Sequence, residues 1–147
     1  MTGKRDHQPI LAPERSGVYV MPADPGGVHR AASDQKLAWM ALDTATVRDK
    51  EGLLEACAFS FDFPESFGSN WDALSDCLRD FSWCPGRGYV IVWRGGANLA
   101  AAAPDDFATA LEIFRDAATY WKKRDRIFIV LLDRPVPGLV VQPFRRS

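Results

Sequence analysis

The sequence predicts an α/β sandwich in which a small parallel β-sheet of about three strands, with a further N-terminal edge strand, packs against helices. Two observations carry this. Strand-like and helix-like patterns alternate in the order β, α, α, β, α, β, which calls for parallel strands joined by right-handed crossovers. Two of the strand segments, residues 89–93 and 127–132, are nearly continuous runs of β-branched and aromatic residues. Such runs belong to strands covered on both faces. The 147 residues suffice for one domain and leave no room for two full ones.

Each element has its own signal. Residues 1–36 are rich in Pro, Gly and charge and hold one apolar run, Val18-Tyr19-Val20-Met21, bounded by Gly17 and Pro22. They read as an arm carrying one short edge strand. Residues 37–42 form the next strand. A helix N-capped by Asp49 turns Leu53, Leu54, Cys57 and Ala58 inward and ends before Pro64. A second, capped at Ser69 or Asn70, aligns Trp71, Leu74, Leu78 and Phe81 on one stripe at spacings of three, four and three. After the strand at 89–93, residues 97–103 suit a short helix. A longer one follows Pro104, with Asp105 and Asp106 in its first turn and Lys122, Lys123 and Arg124 at its end, both favourable to the helix dipole. It would bury Phe107, Leu111, Phe114, Ala118 and Trp121. The strand at 127–132 closes the core domain, 37–132, and residues 133–147, with three prolines, form an irregular tail.

Composition narrows the function. With 47% hydrophobic and 25% charged residues the chain buries a real core, and wholesale disorder is excluded. Eighteen Lys+Arg against nineteen Asp+Glu give a net charge of −1, so the global field that draws proteins to nucleic acid or anionic lipid is missing. Any electrostatic function is local. The longest apolar runs, 97–104 and 127–132, fall far short of the roughly 20 residues of a membrane span, and the basic N-terminus lacks the apolar stretch of a secretory signal. A cytoplasmic location is expected. The three cysteines, Cys57, Cys77 and Cys84, form no CxxC pair, and the two histidines, His7 and His29, lie in the N-terminal third. Neither a disulfide framework nor a zinc site is expected.

The segment 61–81 carries the chemistry. It holds five acids, Asp62, Glu65, Asp72, Asp76 and Asp80, against one base, Arg79. At about 100° per residue, Asp72, Asp76 and Asp80, with Ser75 and Arg79, gather opposite the apolar stripe. A merely solvated face accounts for Asp72, which in the first turn gains about 0.3–1 kcal/mol from the dipole. It accounts less well for Asp76, four residues from both Asp72 and Asp80, where like charges cost about 0.2–0.5 kcal/mol per pair. Asp80 stands near the negative helix end with Arg79 as its local relief. A face that gives up stability in this way suits a cationic partner. An enzyme would need more than Asp72 and Asp76, and no histidine, phosphate loop or GxSxG elbow accompanies them. The Lys122-Lys123-Arg124-Asp125-Arg126 run ends a helix where cations are expected, and Arg94-Gly95-Gly96 reads as a strand-to-loop turn.

The run FPESFGSNWDALSDCL, within this order of elements, resembles the barstar-like family of intracellular ribonuclease inhibitors. The resemblance covers residues 37–132. It implies that the helix after the glycine loop, together with the loop, plugs a nuclease active site. Asp72 and Asp76 match the two helix aspartates that meet the enzyme's basic residues, and Asp116 matches a further acidic contact. Asp116 lies opposite Phe107, Leu111 and Phe114 on its helix, in keeping with exposure. Gly68 and Asn70 match residues that shape the helix entry. Ser66 and Ser75 stand where the family carries a tyrosine and a tryptophan at its interface, and Phe81 replaces another tryptophan. With Asp80 added from the acidic face, the expected partner-binding set is Ser66, Gly68, Asn70, Asp72, Ser75, Asp76, Asp80 and Asp116.

The function so implied is non-enzymatic. The acidic helix face mimics the phosphates of RNA in the basic cleft of a barnase-like or other ribonuclease. A cell making that ribonuclease, or receiving it as a toxin, is protected, as by an antitoxin or immunity protein. No cofactor, metal, nucleic acid or membrane takes part, and the free protein is expected to be a monomer. The alternative is an interaction module of the same fold whose partner is not a nuclease.

Overall fold

Two uninterrupted apolar strands, β3 (Gly88–Arg94) and β4 (Ile127–Leu132), form the middle of a four-stranded sheet ordered β1-β4-β3-β2. The computed structural model describes residues 11–145. His7 and the start of the arm lie outside the described residues. β1 (Gly17–Val20) and β2 (Ala38–Asp43) are the flanking strands. Every pairing is parallel, with Gly17 opposite Ile129, Gly88 opposite Ile127 and Ala38 opposite Tyr89. Apart from Arg94 at its end, β3 is buried throughout, as is β4. That follows from the sequence, since strands without polar alternation must be covered on both faces.

One face is covered by α2 (Lys50–Ser60), α3 (Trp71–Leu78), α4 (Gly96–Ala102) and α5 (Pro104–Lys122). Asp49 caps α2, its Oδ1 accepting from the Gly52 amide at 2.8 Å. Phe107, Leu111, Phe114, Ala118 and Trp121 of α5 are all buried, as their 3.6-residue period requires. Between them lies Trp93, whose ring is 5.4 Å from Phe107 and 5.0 Å from Phe114. Its Nε1 donates to Thr44 Oγ1 at 2.9 Å, and that hydroxyl donates to the Gly95 carbonyl at 2.8 Å. Gly95 opens α4 with φ +74°, and a Cβ there would lie 2.4 Å from the Ala45 nitrogen. The Arg94-Gly95-Gly96 sequence is thus a tight turn that only glycine at its centre permits.

The opposite face is where the structure departs from expectation. The arm carries β1 and also a helix, α1 (Pro25–Asp34). Pro25-Gly26-Gly27 hides it, because such a triplet reads as a loop and only Val28 and Ala32 show the inward spacing. Yet proline is preformed for a first helical turn, and Asp24 accepts from the Gly27 amide. Val28 and Ala32 cover the outer side chains of the sheet, Val90, Ile127, Ile129 and Leu131, together with Leu11 and Phe144. The tail is irregular but anchored. The Val20 amide donates to the Gln142 carbonyl and the Phe144 amide to the Val20 carbonyl, both at 2.9 Å. Phe144 meets the Tyr19 ring edge-on at 5.0 Å, under the Arg15 guanidinium at 4.0 Å. Among the described residues no helix is long and apolar enough to cross a membrane.

Candidate functional site

The loop at 61–70 and α3 stand on an aromatic floor. Phe61, Phe63 and Phe81 are buried, with Phe63 4.9 Å from Phe67 and 5.7 Å from Trp83, and Phe81 stacked on Tyr89 at 4.4 Å. Trp83 Nε1 donates to the Phe61 carbonyl at 3.0 Å, tying the segments on either side of α3 together. The aromatic residues of this region are therefore spent inward, holding the loop, while Ser66 is exposed at its tip.

Asn70 is the N-cap of α3. Its Oδ1 accepts from the Ala73 amide at 2.7 Å, and its Nδ2 points back to the Gly68 carbonyl at 3.4 Å. A Cβ on Gly68 would sit 3.3 Å from that Nδ2, so the compact glycine lets the capping amide fold over the loop. At the other end, Trp121 Nε1 of α5 donates to the Leu78 carbonyl at 2.8 Å. α3 is thus fixed at both termini. Leu74 and Leu78 are buried, whereas Trp71 is only partly covered and carries the Lys50 ammonium 5.2 Å from its ring centre. The helix stops at Leu78. Phe81 adopts φ +53° beyond it and reaches the core from the following turn instead of continuing the helical stripe.

The three carboxylates of α3 and its exit, Asp72, Asp76 and Asp80, are all exposed, as is Asp116 on α5. At the α3–α5 boundary Ser75, Arg79, Asp116, Thr119, Tyr120, Lys123 and Arg124 line a groove of about 520 Å³. Asp72, Asp76 and Ser75 therefore share the outer face of α3, and Asp116 borders that face. Ser66, Gly68 and Asn70 precede it in the loop. Asp80 lies outside the helix and accepts from Ser82 Oγ at 3.3 Å.

Arg79 corrects the charge pattern read from the sequence. Its Nη2 donates to Asp76 Oδ1 at 3.1 Å, not to Asp80. Residues three apart share a helix face, whereas neighbours in sequence diverge by about 100°. The guanidinium is further held by Nε to the Ser75 carbonyl at 3.2 Å and lies 5.7 Å from the Tyr120 ring. Of the carboxylates on α3 and α5, Asp76 alone is ion-paired among the described residues. The groove, with Tyr120 under Arg124 at 3.6 Å, escaped the sequence reading because its residues come from two helices far apart in the chain. The run of cations ending α5 was its only trace.

Beneath this face two thiols, Cys57 and Cys77, are held protonated. Burial raises Cys57 far above the ordinary thiol range. Burial also raises Cys77, with the Asp80 and Asp76 carboxylates adding to it. Cys57, wholly buried, is a packing group. Among the described residues no three His, Cys, Asp or Glu side chains gather as metal ligands would.

A family model described as Barstar (barnase inhibitor) matches residues 37–133. That span, well over half of the chain, takes in the loop, α3, α5 and three of the four strands. No curated protein matches the chain. The chain belongs to the barstar family, whose description is that of a barnase inhibitor.

Proposed function

We propose that this member of the barstar family inhibits a ribonuclease by seating the outer face of α3 in the enzyme's basic cleft. The observation that carries this reading is the set of exposed carboxylates, Asp72 and Asp76 on α3 and Asp116 beside them on α5, mounted on a helix fixed at both ends. Exposed carboxylates at fixed spacing offer a nuclease what the phosphates of RNA offer it, namely acceptors for charge-assisted hydrogen bonds from Arg, Lys and protonated His. The inhibitor does no chemistry and needs no cofactor. It excludes substrate by occupying the phosphate positions, with Asp76 innermost. In the cell this protects against the organism's own ribonuclease or one received as a toxin.

The test is capture followed by enzymology. Immobilised protein exposed to lysate and secreted fractions should retain a basic protein that cleaves RNA, and adding soluble inhibitor should stop that cleavage at near-stoichiometric amounts. Raising ionic strength should slow association far more than it speeds dissociation, since screening removes the long-range attraction first. A captured partner without nuclease activity, or an association rate flat in salt, would favour an interaction module with a mainly apolar interface.

A further inference from the structure

We infer that Arg79 is a specificity-determining residue: it holds Asp76 as an internal stand-in for the partner's cation and thereby restricts which basic clefts α3 accepts. The inference rests on the reading that Asp76 meets a cation of the partner.

Three contacts fix the guanidinium: Asp76 Oδ1 at 3.1 Å, the Ser75 carbonyl at 3.2 Å and the Tyr120 ring at 5.7 Å. Arg79 thus sits at the carboxylate expected to lie deepest in the interface. The Asp76 side chain is 76% exposed and that of Arg79 39%, so the pair is a surface contact that adds little to folding. In an interface it has a larger effect. A cation brought to Asp76 must either displace Arg79 or dock beside a like charge while water is being excluded, and like-charge juxtaposition is a strong means of rejecting partners.

Within the groove the displaced side chain has little to settle on. The adjoining groove already carries Lys123 and Arg124, with Asp116 as its one carboxylate, and Asp116 is itself expected at the interface. A released Arg79 is therefore best received by a carboxylate of the partner. The favoured partner has a basic cleft with an acidic side chain at its rim, opposite the groove between α3 and α5. A uniformly basic cleft is disfavoured.

The experiment compares wild type, Arg79→Ala and Lys122→Ala. Lys122→Ala removes one positive charge from an exposed site at the end of α5 and controls for net charge. The probes are hexa-arginine peptide, which presents guanidinium groups without any acid, and barnase. Arg79→Ala should bind hexa-arginine about tenfold more tightly than wild type, and Lys122→Ala no more than about twofold, because only the first uncovers Asp76. Adding Asp76→Ala to Arg79→Ala should abolish the gain. Melting curves of each variant check the fold. Equal gains from Arg79→Ala and Lys122→Ala, or a gain that survives loss of Asp76, would overturn the inference. The barnase arm separates the two readings: a selective gain on hexa-arginine with no variant inhibiting barnase leaves the role of Arg79 standing and counts against barnase-like enzymes as targets.

Discussion

Cys57, Cys77 and Tyr89 are held protonated by burial, Cys57 most strongly. For Cys77 the Asp80 and Asp76 carboxylates act in the same direction. For Tyr89 burial outweighs the Arg126 guanidinium, which pulls the other way. A group whose pKa is raised on folding contributes stability that is complete below its unfolded value and lost as pH climbs toward the folded one. For the thiols that loss begins near pH 8.5, about the value in an unfolded chain. Urea midpoints should therefore be level around neutrality and fall above about pH 8.5, and Cys57→Ala should flatten that alkaline limb. An unchanged limb would show that Cys57 is not the group responsible. At this scale the exposed carboxylates of the site were legible from helical periodicity, as Asp72, Asp76 and Asp116 show. The partner of Arg79 was also within reach, because three-residue spacing favours Asp76 over adjacent Asp80. The left-handed turn that carries Phe81 inward was not, since nothing in its composition marks it.

Among the elements, α3 depends most on a single residue. Asn70 supplies both the cap and the link to the loop. Asn70→Ala should cost about 0.5–2 kcal/mol in thermal or urea unfolding, while Asn70→Asp, which keeps the acceptor, should cost much less. Equal losses would mean that the Gly68 contact, not the cap, holds the helix entry. Capping residues made α2 and α3 readable, and Pro104 with the dipole-matched ends marked α5 as Pro104–Lys122. α1 was missed for a related reason. Its start signal, Asp24 before Pro25, is present, but two glycines follow and the helix buries only Val28 and Ala32. Helices with so narrow an apolar stripe are held by packing on the sheet and not by their own propensity.

In the whole molecule, segments on either side of the family-matched region meet at the β1 edge of the sheet, β1 beside β4 and the tail beside β1. We propose that they belong to one folding unit with the core. Removing residues 134–147 takes away Val136 and Phe144, both buried, and uncovers part of the apolar surface over Ile129 and Leu131. Phe144→Ala alone should cost about 3–5 kcal/mol, read from urea unfolding, and leave the α3 face intact. A loss under about 1 kcal/mol would mean that the tail merely rests on the fold. A parallel sheet of about three strands with an N-terminal edge strand, packed against helices, was legible from alternating patterns, whereas the closing of arm and tail against each other was not, because it depends on contacts between opposite ends of the chain. On the proposed reading, the outer carboxylates of α3 serve a nuclease partner and contribute little to the fold. The measurement that tests it most directly is inhibition of the captured ribonuclease by wild type, Asp76→Ala, Asp72→Ala, Asp116→Ala and Asp80→Ala, with melting curves in parallel. Asp76→Ala should lose most, about 2–5 kcal/mol of binding, while its stability changes by no more than about 0.5 kcal/mol, since the lost Arg79 pair and the relieved repulsions nearly cancel. Asp72→Ala and Asp116→Ala should lose less, and Asp80→Ala little. Full inhibition by Asp76→Ala, or inhibition abolished only by Asp80→Ala, would contradict the account.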